Sequence, residues 1–309
     1  MIRKFLAAAP EGAAGVPIPG LASLTRALAM NSLGALNSAE IAARILKFFA
    51  ETSTRALSIK DPVELRRYLI QKVSTECKPA IRALNFEVKV VGHDPERMKN
   101  NNYLMVGNHM GYMDILVVAA QQSALFVTSE DMGEVPVLGH ITKMAGCIFI
   151  ERRNRTQVDR DIGAMTEALK QGLNILIYPE GTSSNGQQVL PFKKSLLMAA
   201  VEAGRDIQPI CLKYTEIDGE PFGPHNSDKI CWYGDMTFAP HFFAMAKLKS
   251  VKAEVHFLEP IKVTKESTRN ELAEKAHRAI SDEYMKGRDP IAAPSTAPAE
   301  MSEVESQLA

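Results

Sequence analysis

The spacing of apolar and polar residues divides the chain near Phe86. Before that point, apolar side chains recur three or four positions apart, as in Ile41, Ile45 and Phe48, which predicts amphipathic helices. After it, short runs rich in Val, Ile and Leu alternate with helix-length segments. The pattern therefore predicts an α/β fold, in which helices cover a sheet, preceded by an N-terminal helical element.

The same pattern predicts the individual elements. The predicted strands are Phe86–Val91, Tyr103–Val106, Ala124–Thr128, Cys147–Ile150, Asn174–Tyr178, Ile207–Tyr214, Ile230–Tyr233 and Val251–Phe257. The predicted helices between them are Ile115–Gln121, Val158–Gln171, Ser195–Ala203 and Pro240–Lys247. We expect a last helix to begin at Ser267 or Thr268 and to end near Gly287.

These elements predict four parts of the chain. Residues 1–36, rich in Ala, Gly and Pro, are expected to form a flexible or amphipathic arm, and residues 37–85 the N-terminal helical element. Within that element, Asn37 or Ser38 is predicted to cap the first helix, and Asp61-Pro62 to start the second. Residues 86–288 are expected to form the α/β domain, and residues 289–309 a disordered tail.

Composition narrows the range of partners. Lys and Arg together number 36, as do Asp and Glu, so no excess of basic charge indicates nucleic acid. The 4 cysteines show no Cys-x-x-Cys spacing, which argues against disulfides and zinc and favours free thiols in a reducing compartment. No apolar stretch reaches the roughly 20 residues of a spanning helix. We therefore expect a cytoplasmic protein whose contact with a membrane is peripheral.

Candidate chemistry appears where the second predicted strand ends. Gly107 and Asn108, which tolerate unusual backbone angles, follow this strand. His109 comes next, and Asp114 opens the following apolar segment. A histidine at a strand end can meet a carboxylate at a helix start across a tight turn, which is the arrangement of a general base and its orienting group. No third ligand with metal spacing accompanies the pair, so we expect no metal site.

Three further segments lie at strand ends, where open α/β sheets place their active sites. The strand Cys147–Ile150 is followed by Glu151 and three arginines, Arg152, Arg153 and Arg155, a cluster that is either solvated or binds anionic oxygens. Tyr178-Pro179-Glu180-Gly181-Thr182 presents Glu180 and Thr182 after another buried strand. Ile207-Gln208-Pro209-Ile210 brings a further apolar strand to the sheet.

In this order and at these separations, the four segments resemble the four motifs of the glycerolipid and lysophospholipid acyltransferase family. Residues 108–114 match its His-x4-Asp motif, and Gly146–Arg152 resembles its second motif, with Glu151 where Asp is usual. Tyr178–Thr182 resembles Phe-Pro-Glu-Gly-Thr, with Tyr for Phe, and Ile207–Ile210 resembles a short apolar-Pro motif. The resemblance covers about residues 86–260 and implies a mixed, largely parallel sheet.

The resemblance also implies an activity and a site. His109 would take a proton from a lysolipid hydroxyl, and Asp114 would orient the imidazole. The acyl donor would be acyl-CoA or acyl-carrier protein, a co-substrate rather than a cofactor. The implied substrate-binding residues are Asn108, Arg152, Arg153, Arg155, Glu180, Gly181 and Thr182, with Lys193, Lys194 and Lys213 as weaker candidates for CoA phosphates. The product would reside in a membrane, so we expect the protein on its inner face.

The acceptor is open at this point, because Ser183 stands where phosphatidate-forming members usually carry Arg. Acylation of 1-acyl-sn-glycerol-3-phosphate to phosphatidic acid is the first prediction. Acylation of lyso-ornithine lipid or another lysolipid is the alternative, because Cys231–Met236 and Pro191–Lys193 also resemble the branch of the family that acylates those lipids. A thioesterase and a non-catalytic, membrane-associated lipid-binding module are the remaining hypotheses.

Overall fold

The computed structural model of the chain describes residues 32–135, 138–151 and 157–288. Its α-helices are α1 Ser32–Ser58, α2 Pro62–Ala83, α3 Pro95–Asn100, α4 Tyr112–Gln121, α5 Leu138–Met144, α6 Val158–Lys170, α7 Met198–Ala203, α8 Phe238–Met245 and α9 Arg269–Met285. Short 3-10 helices span Glu130–Glu134, Ser195–Leu197 and Ser227–Lys229. The strands are β1 Phe86–Val91, β2 Leu104–Gly107, β3 Leu125–Ser129, β4 Ile148–Ile150, β5 Ile175–Ile177, β6 Ile207–Ile217, β7 Glu220–Pro221 and β8 Val251–Phe257. Residues 1–31 of the predicted arm and the predicted tail from residue 289 lie outside the described residues.

The strands of the described residues form one 8-stranded sheet in the order β1-β8-β6-β2-β5-β3-β4, with β7 beside β6. The pairs β1/β8, β6/β2, β2/β5, β5/β3 and β3/β4 are parallel, whereas β6 pairs antiparallel with both β8 and β7. Helices separate most consecutive strands, as parallel crossovers require. The predicted mixed, largely parallel sheet is confirmed.

The middle of the sheet is its most deeply buried part. Every residue of β2 and of β5 is buried, as expected for parallel strands that helices cover on both faces. Val106 of β2 lies in register with Ile177 of β5. Because the two strands run the same way, the segments that leave their carboxyl ends emerge side by side. Those segments begin with Asn108-His109 and with Tyr178.

The two N-terminal helices begin differently from one another. Asp61 caps α2, since its carboxylate accepts hydrogen bonds from the amides of Val63 and Glu64 at 2.8 and 2.7 Å, which confirms the predicted start. The predicted start of α1 is wrong, because α1 already includes residue 32. Asn37 is buried inside α1 and donates from its side-chain amide to the carbonyl of Ala246 at 3.0 Å. This polar residue serves a tertiary contact rather than a cap.

One predicted strand is absent from the structure. Ile230 and Cys231 are buried, at 1% and 0% exposure, but they follow a 3-10 helix as irregular chain. The amide of Trp232 donates to the carbonyl of Met110 at 2.8 Å, which ties this segment to the His-x4-Asp turn instead of to a sheet. An apolar run long enough for a strand is therefore buried as a loop.

Smaller differences concern element ends. Strand β6 extends to Ile217, beyond the predicted end at Tyr214, and α8 begins at Phe238, so that Pro240 lies in its first turn, where proline is tolerated. Thr268 caps α9 through a hydrogen bond from the amide of Glu271, as predicted. Within the described residues, none of the helices combines the length and the apolar character that crossing a membrane would need.

Candidate active site

His109 and Asp114 meet at the carboxyl end of β2. His109 lies in the turn after the strand, and Asp114 is the third residue of α4, so the short turn brings the two side chains together. The imidazole Nδ1 is 2.9 Å from Asp114 Oδ2. The structure thus places the predicted base and orienting group in hydrogen-bond contact.

Asp114 is fully buried and surrounded by donors. Its Oδ2 also accepts the amides of Met110 and Gly111 at 2.5 and 2.8 Å, and its Oδ1 accepts the hydroxyl of Tyr214 at 2.7 Å. An ionised carboxylate can only accept hydrogen bonds, so this set of donors matches the charged form. Charge-assisted hydrogen bonds of this kind offset the cost of removing the carboxylate from water.

The contact with Asp114 determines which imidazole nitrogen can act as a base. Because Asp114 accepts, Nδ1 of His109 carries the proton, and Nε2 of the neutral ring has a free lone pair. The side chain of His109 is 18% exposed and lines a large cavity. Nε2 is therefore the atom available to a substrate hydroxyl.

Tyr178 holds the plane of the imidazole. Its ring stacks on that of His109, with centroids 4.3 Å apart and an angle of 12° between the planes. A Cβ atom at Gly107 would lie 3.1 Å from Cε1 of Tyr178, so glycine allows this close approach. Gly107 and Asn108 tolerate a positive φ, but neither residue has one in the structure.

Glu180 supports the main chain of the base. Its Oε1 accepts the amide of His109 at 2.7 Å, and its Oε2 accepts the amide of Leu190 at 3.1 Å. Glu180 is buried, and this burial raises the pKa of its carboxyl to about 8, although the two backbone hydrogen bonds act in the opposite direction. Each oxygen accepts a backbone amide and Glu180 does not line the cavity, so its observed contacts support the main chain of His109, and its contact with the acceptor stays a prediction.

The turn after Glu180 reaches the cavity. Gly181, with φ +72°, and Thr182 both line it, together with Ser183. After this turn the chain stays irregular up to the 3-10 helix at Ser195. Within the part of the chain that the structure describes, the amides of Thr182 and Ser183 have no hydrogen-bond partner.

The remaining predicted residues are placed differently. The amide side chain of Asn108 is 2% exposed and exchanges two hydrogen bonds with the backbone of Leu212, at 2.9 and 2.8 Å, so it joins β2 to β6 instead of reaching substrate. Lys213 pairs with Glu283, 3.5 Å away, and does not line the cavity. Arg152, Arg153 and Arg155 lie outside the described residues.

The cavity that His109 faces has a volume of about 1070 Å³. Helices α1, α2, α4, α5 and α8 provide most of its apolar wall, with side chains such as Ile41, Phe48, Val73, Leu116, Ile141 and Phe242. Cavities of this size and apolar lining suit a hydrophobic ligand that a few polar groups orient. A base at one wall of an apolar cavity can deprotonate the polar end of a lipid-like molecule.

Two groups of the site carry no recognisable sequence signal. Tyr214 lies on β6, 100 residues from Asp114 along the chain, and it reads simply as one residue of an apolar strand. Trp232 lies in the misassigned strand, where its carbonyl accepts the hydroxyl of Ser183 at 2.5 Å. Only the fold brings these residues to the His-x4-Asp turn.

Comparison with known proteins agrees with this geometry. A family model described as Acyltransferase matches residues 88–213. The lyso-ornithine lipid O-acyltransferase of Brucella abortus is 30% identical over 218 residues, which cover 67% of this chain and 80% of that protein. The 1-acyl-sn-glycerol-3-phosphate acyltransferase of Neisseria gonorrhoeae is 27% identical over 203 residues, 66% of this chain and 76% of that protein.

The fold has a counterpart of known structure. The crystal structure of the 1-acyl-sn-glycerophosphate (LPA) acyltransferase PlsC from Thermotoga maritima superposes with a TM-score of 0.61 at 21% identity. The match covers 86% of this chain and 98% of PlsC. The chain is therefore an acyltransferase that belongs to the glycerolipid and lysophospholipid acyltransferase family.

Proposed function

We propose that the protein transfers a fatty acyl chain from a thioester donor, acyl-CoA or acyl-carrier protein, to the hydroxyl of a lysolipid. The observation that carries this proposal is the His109–Asp114 pair, whose free Nε2 belongs to a residue that lines the large apolar cavity. The cavity accommodates acyl chains, and the base activates the hydroxyl at their polar end.

The transfer is direct. Nε2 of His109 takes the hydroxyl proton while the oxygen attacks the thioester carbonyl carbon, and Asp114 stabilises the imidazolium that forms. The tetrahedral intermediate then collapses, the carbon–sulfur bond breaks, and the departing thiolate receives the proton from the imidazolium. Atoms and charges balance without a covalent enzyme intermediate.

The side chains around the cavity support this direct route. Cys77 and Cys147 line it, but burial raises the pKa of each thiol to about 12, which leaves them poor nucleophiles. The amides of Thr182 and Ser183 belong to residues that line the same cavity. In the proposal they donate to the oxyanion of the tetrahedral intermediate, the role that backbone amides have in other acyl transfers.

Two acceptors are proposed in order. 1-Acyl-sn-glycerol-3-phosphate comes first, which would make phosphatidic acid the product. Lyso-ornithine lipid is the second candidate, because the hydroxyl of Ser183 is held by the carbonyl of Trp232 and position 183 offers no cationic fork for a phosphate. The name of the Brucella relative supports the same candidate.

We also propose that the protein works in the cytoplasm, bound peripherally to the inner face of the membrane that holds its acceptor. The side chains of Leu36, Leu46 and Leu57 on α1 are 68%, 51% and 88% exposed, which provides apolar surface for such contact. Flotation with phospholipid vesicles tests this part, with a variant in which all three leucines are replaced by serine. An undiminished bound fraction for that variant would exclude α1 as the contact.

Transfer of a labelled acyl chain tests the function. The wild type should convert lysophosphatidate or lyso-ornithine lipid, offered side by side with acyl-CoA and acyl-carrier protein, into its diacyl product. His109→Ala should not. Free fatty acid released at the same rate without any acceptor would identify a thioesterase instead. Binding of lysolipid without turnover of either donor would identify a non-catalytic module.

A further inference from the structure

Three cations at the cavity stand apart from the other charged residues that line it. Lys193, Lys194 and Arg269 line the cavity and are exposed, and none of them forms an ion pair within the described residues. Arg44 also lines the cavity, but it is paired with Glu40 at 2.6 Å. The positive charges of these three residues are therefore not neutralised by carboxylates within the described ranges.

Lys193 is held against the turn that supports the base. Its amide donates to the carbonyl of Pro179 at 2.7 Å. A Cβ atom at Gly181 would lie 2.6 Å from Nζ and 2.7 Å from Cε of Lys193, so the lysine side chain crosses directly over this glycine. Gly181 adjoins Glu180, whose carboxylate accepts the amide of His109. The ammonium thus lies beside the turn that positions His109.

The segment that carries the two lysines packs against α9, the helix that begins with Arg269. The buried ring of Phe192 meets His277 of α9 edge-on, with centroids 5.0 Å apart and an angle of 87°. The 3-10 helix Ser195–Leu197 also packs against α9. Arg269 is the first residue of α9, and it lines the same cavity as Lys193 and Lys194.

We infer that Lys193, Lys194 and Arg269 form a phosphate-binding rim, which supplies the positive charge that Ser183 cannot. The inference rests on the proposed function, because it names what the same site recognises. The ligand chemistry is phosphate oxygen, which occurs in the headgroup of lysophosphatidate and in the nucleotide of CoA. Cations without protein partners can give charge-assisted hydrogen bonds to such oxygens.

The test uses the full chain with Lys193→Gln and Arg269→Gln combined. The matched control combines Lys247→Gln and Lys249→Gln, which also removes two exposed positive charges that have no ion pair in the described ranges and do not line the cavity. Two quantities are measured for each protein. They are the Kd of CoA by titration calorimetry and the KM of lysophosphatidate at saturating acyl-CoA, each at low and at physiological salt.

The rim variant should raise one of these constants by about tenfold, because each lost charge-assisted hydrogen bond weakens binding. The control should change neither by more than about twofold, the range of surface charges. A rise in the Kd of CoA identifies the donor's phosphates as the ligand, and a rise in the KM of lysophosphatidate identifies the acceptor's.

Unchanged values for both constants would overturn the inference, as would a lower kcat with unchanged Kd and KM, which would indicate a structural role. Failure of the proposed function is distinguishable, since it would appear as a wild type that transfers no acyl chain to any acceptor. In that case the Kd of CoA still tests the phosphate-binding rim, because it is measured without turnover.

Discussion

The two sides of the active site differ in how their polar groups are satisfied. On the side of the base, Asp114 accepts four donors and Glu180 accepts two, all within buried structure. At the phosphate-binding rim, Lys193 and Arg269 are exposed and lack ion-pair partners in the described residues. The proposed catalytic groups are therefore organised before substrate arrives, whereas the cations of the rim still have binding capacity. Substitutions on the first side should change rate, and those on the second should change affinity.

The largest effect is expected from breaking the central pair. Asp114→Asn would replace the carboxylate by a neutral amide, so the imidazolium that forms during transfer loses the negative charge that stabilises it. We expect kcat to fall by about three to four powers of ten, as in the serine triad. The measurement is single-turnover acyl transfer, with circular dichroism to verify folding. A loss below tenfold would contradict the general-base mechanism.

The second prediction concerns Glu180 and pH. Burial raises the pKa of its carboxyl from 4.5 in the unfolded chain to about 8 in the folded one, so the folded state binds more protons between these values. The free energy of unfolding should therefore fall as the pH rises from 4.5 to 8, with a slope approaching about 1.4 kcal/mol per pH unit.

Urea denaturation of the wild type and of Glu180→Gln at several pH values measures this contribution. Glutamine does not titrate, so the free energy of unfolding of the wild type should fall relative to that of Glu180→Gln as the pH rises from 4.5 to 8 and the buried carboxyl becomes charged. If the free energy of unfolding varies with pH in the same way for both proteins across this range, the protonation of Glu180 does not affect stability.

Tyr214 offers a finer test of the base side. Tyr214→Phe removes the donor to Oδ1 of Asp114 and leaves the ring in place. We expect kcat to fall by about tenfold with KM unchanged, since a hydrogen bond to a charged group is worth about 1.5–3 kcal/mol. Tyr103→Phe, another buried tyrosine whose hydroxyl makes no hydrogen bond in the described ranges, is the control. Equal kcat values for the two variants would refute the role of Tyr214.

The smallest effect is expected from Ser183, which lines the cavity. Ser183→Ala removes the hydroxyl that donates to the carbonyl of Trp232. The free energy of unfolding should decrease by about 0.5–1.5 kcal/mol, the usual value of a neutral hydrogen bond, while kcat stays within about threefold of the wild type. Thermal denaturation and steady-state kinetics measure the two quantities. A rate loss comparable to that of Tyr214→Phe would abolish the distinction between the two sides.

The parts of the site that the sequence predicted are local. His109 and Asp114 lie on one turn, so their spacing alone indicates contact, and Tyr178 and Glu180 directly follow a buried strand. Short apolar runs likewise predicted seven of the eight strands in the described residues, because a strand that is buried between helices is apolar along its whole length.

What the sequence did not reveal depends on contacts between distant segments. Tyr214 reaches Asp114 across 100 residues, and no periodicity marks that hydrogen bond. Ile230 and Cys231 are as apolar as a strand, yet they are buried in irregular chain beside Met110. Asn37 resembles a helix cap, but its amide bonds to Ala246, 209 residues away. The local pattern of apolar and polar residues indicates which residues are buried, but it does not indicate which distant residues they contact.

The hydrogen bond from the amide of His109 to Glu180 has a consequence for how activity is acquired during folding. The two residues are 71 positions apart and leave the adjacent parallel strands β2 and β5. Parallel pairing at this separation is a slow, long-range event, since loop closure must precede its stabilising contacts. A refolding chain with its helices already formed would thus remain inactive until β2 and β5 have paired. Recovery of acyl transfer would then report the assembly of the central sheet.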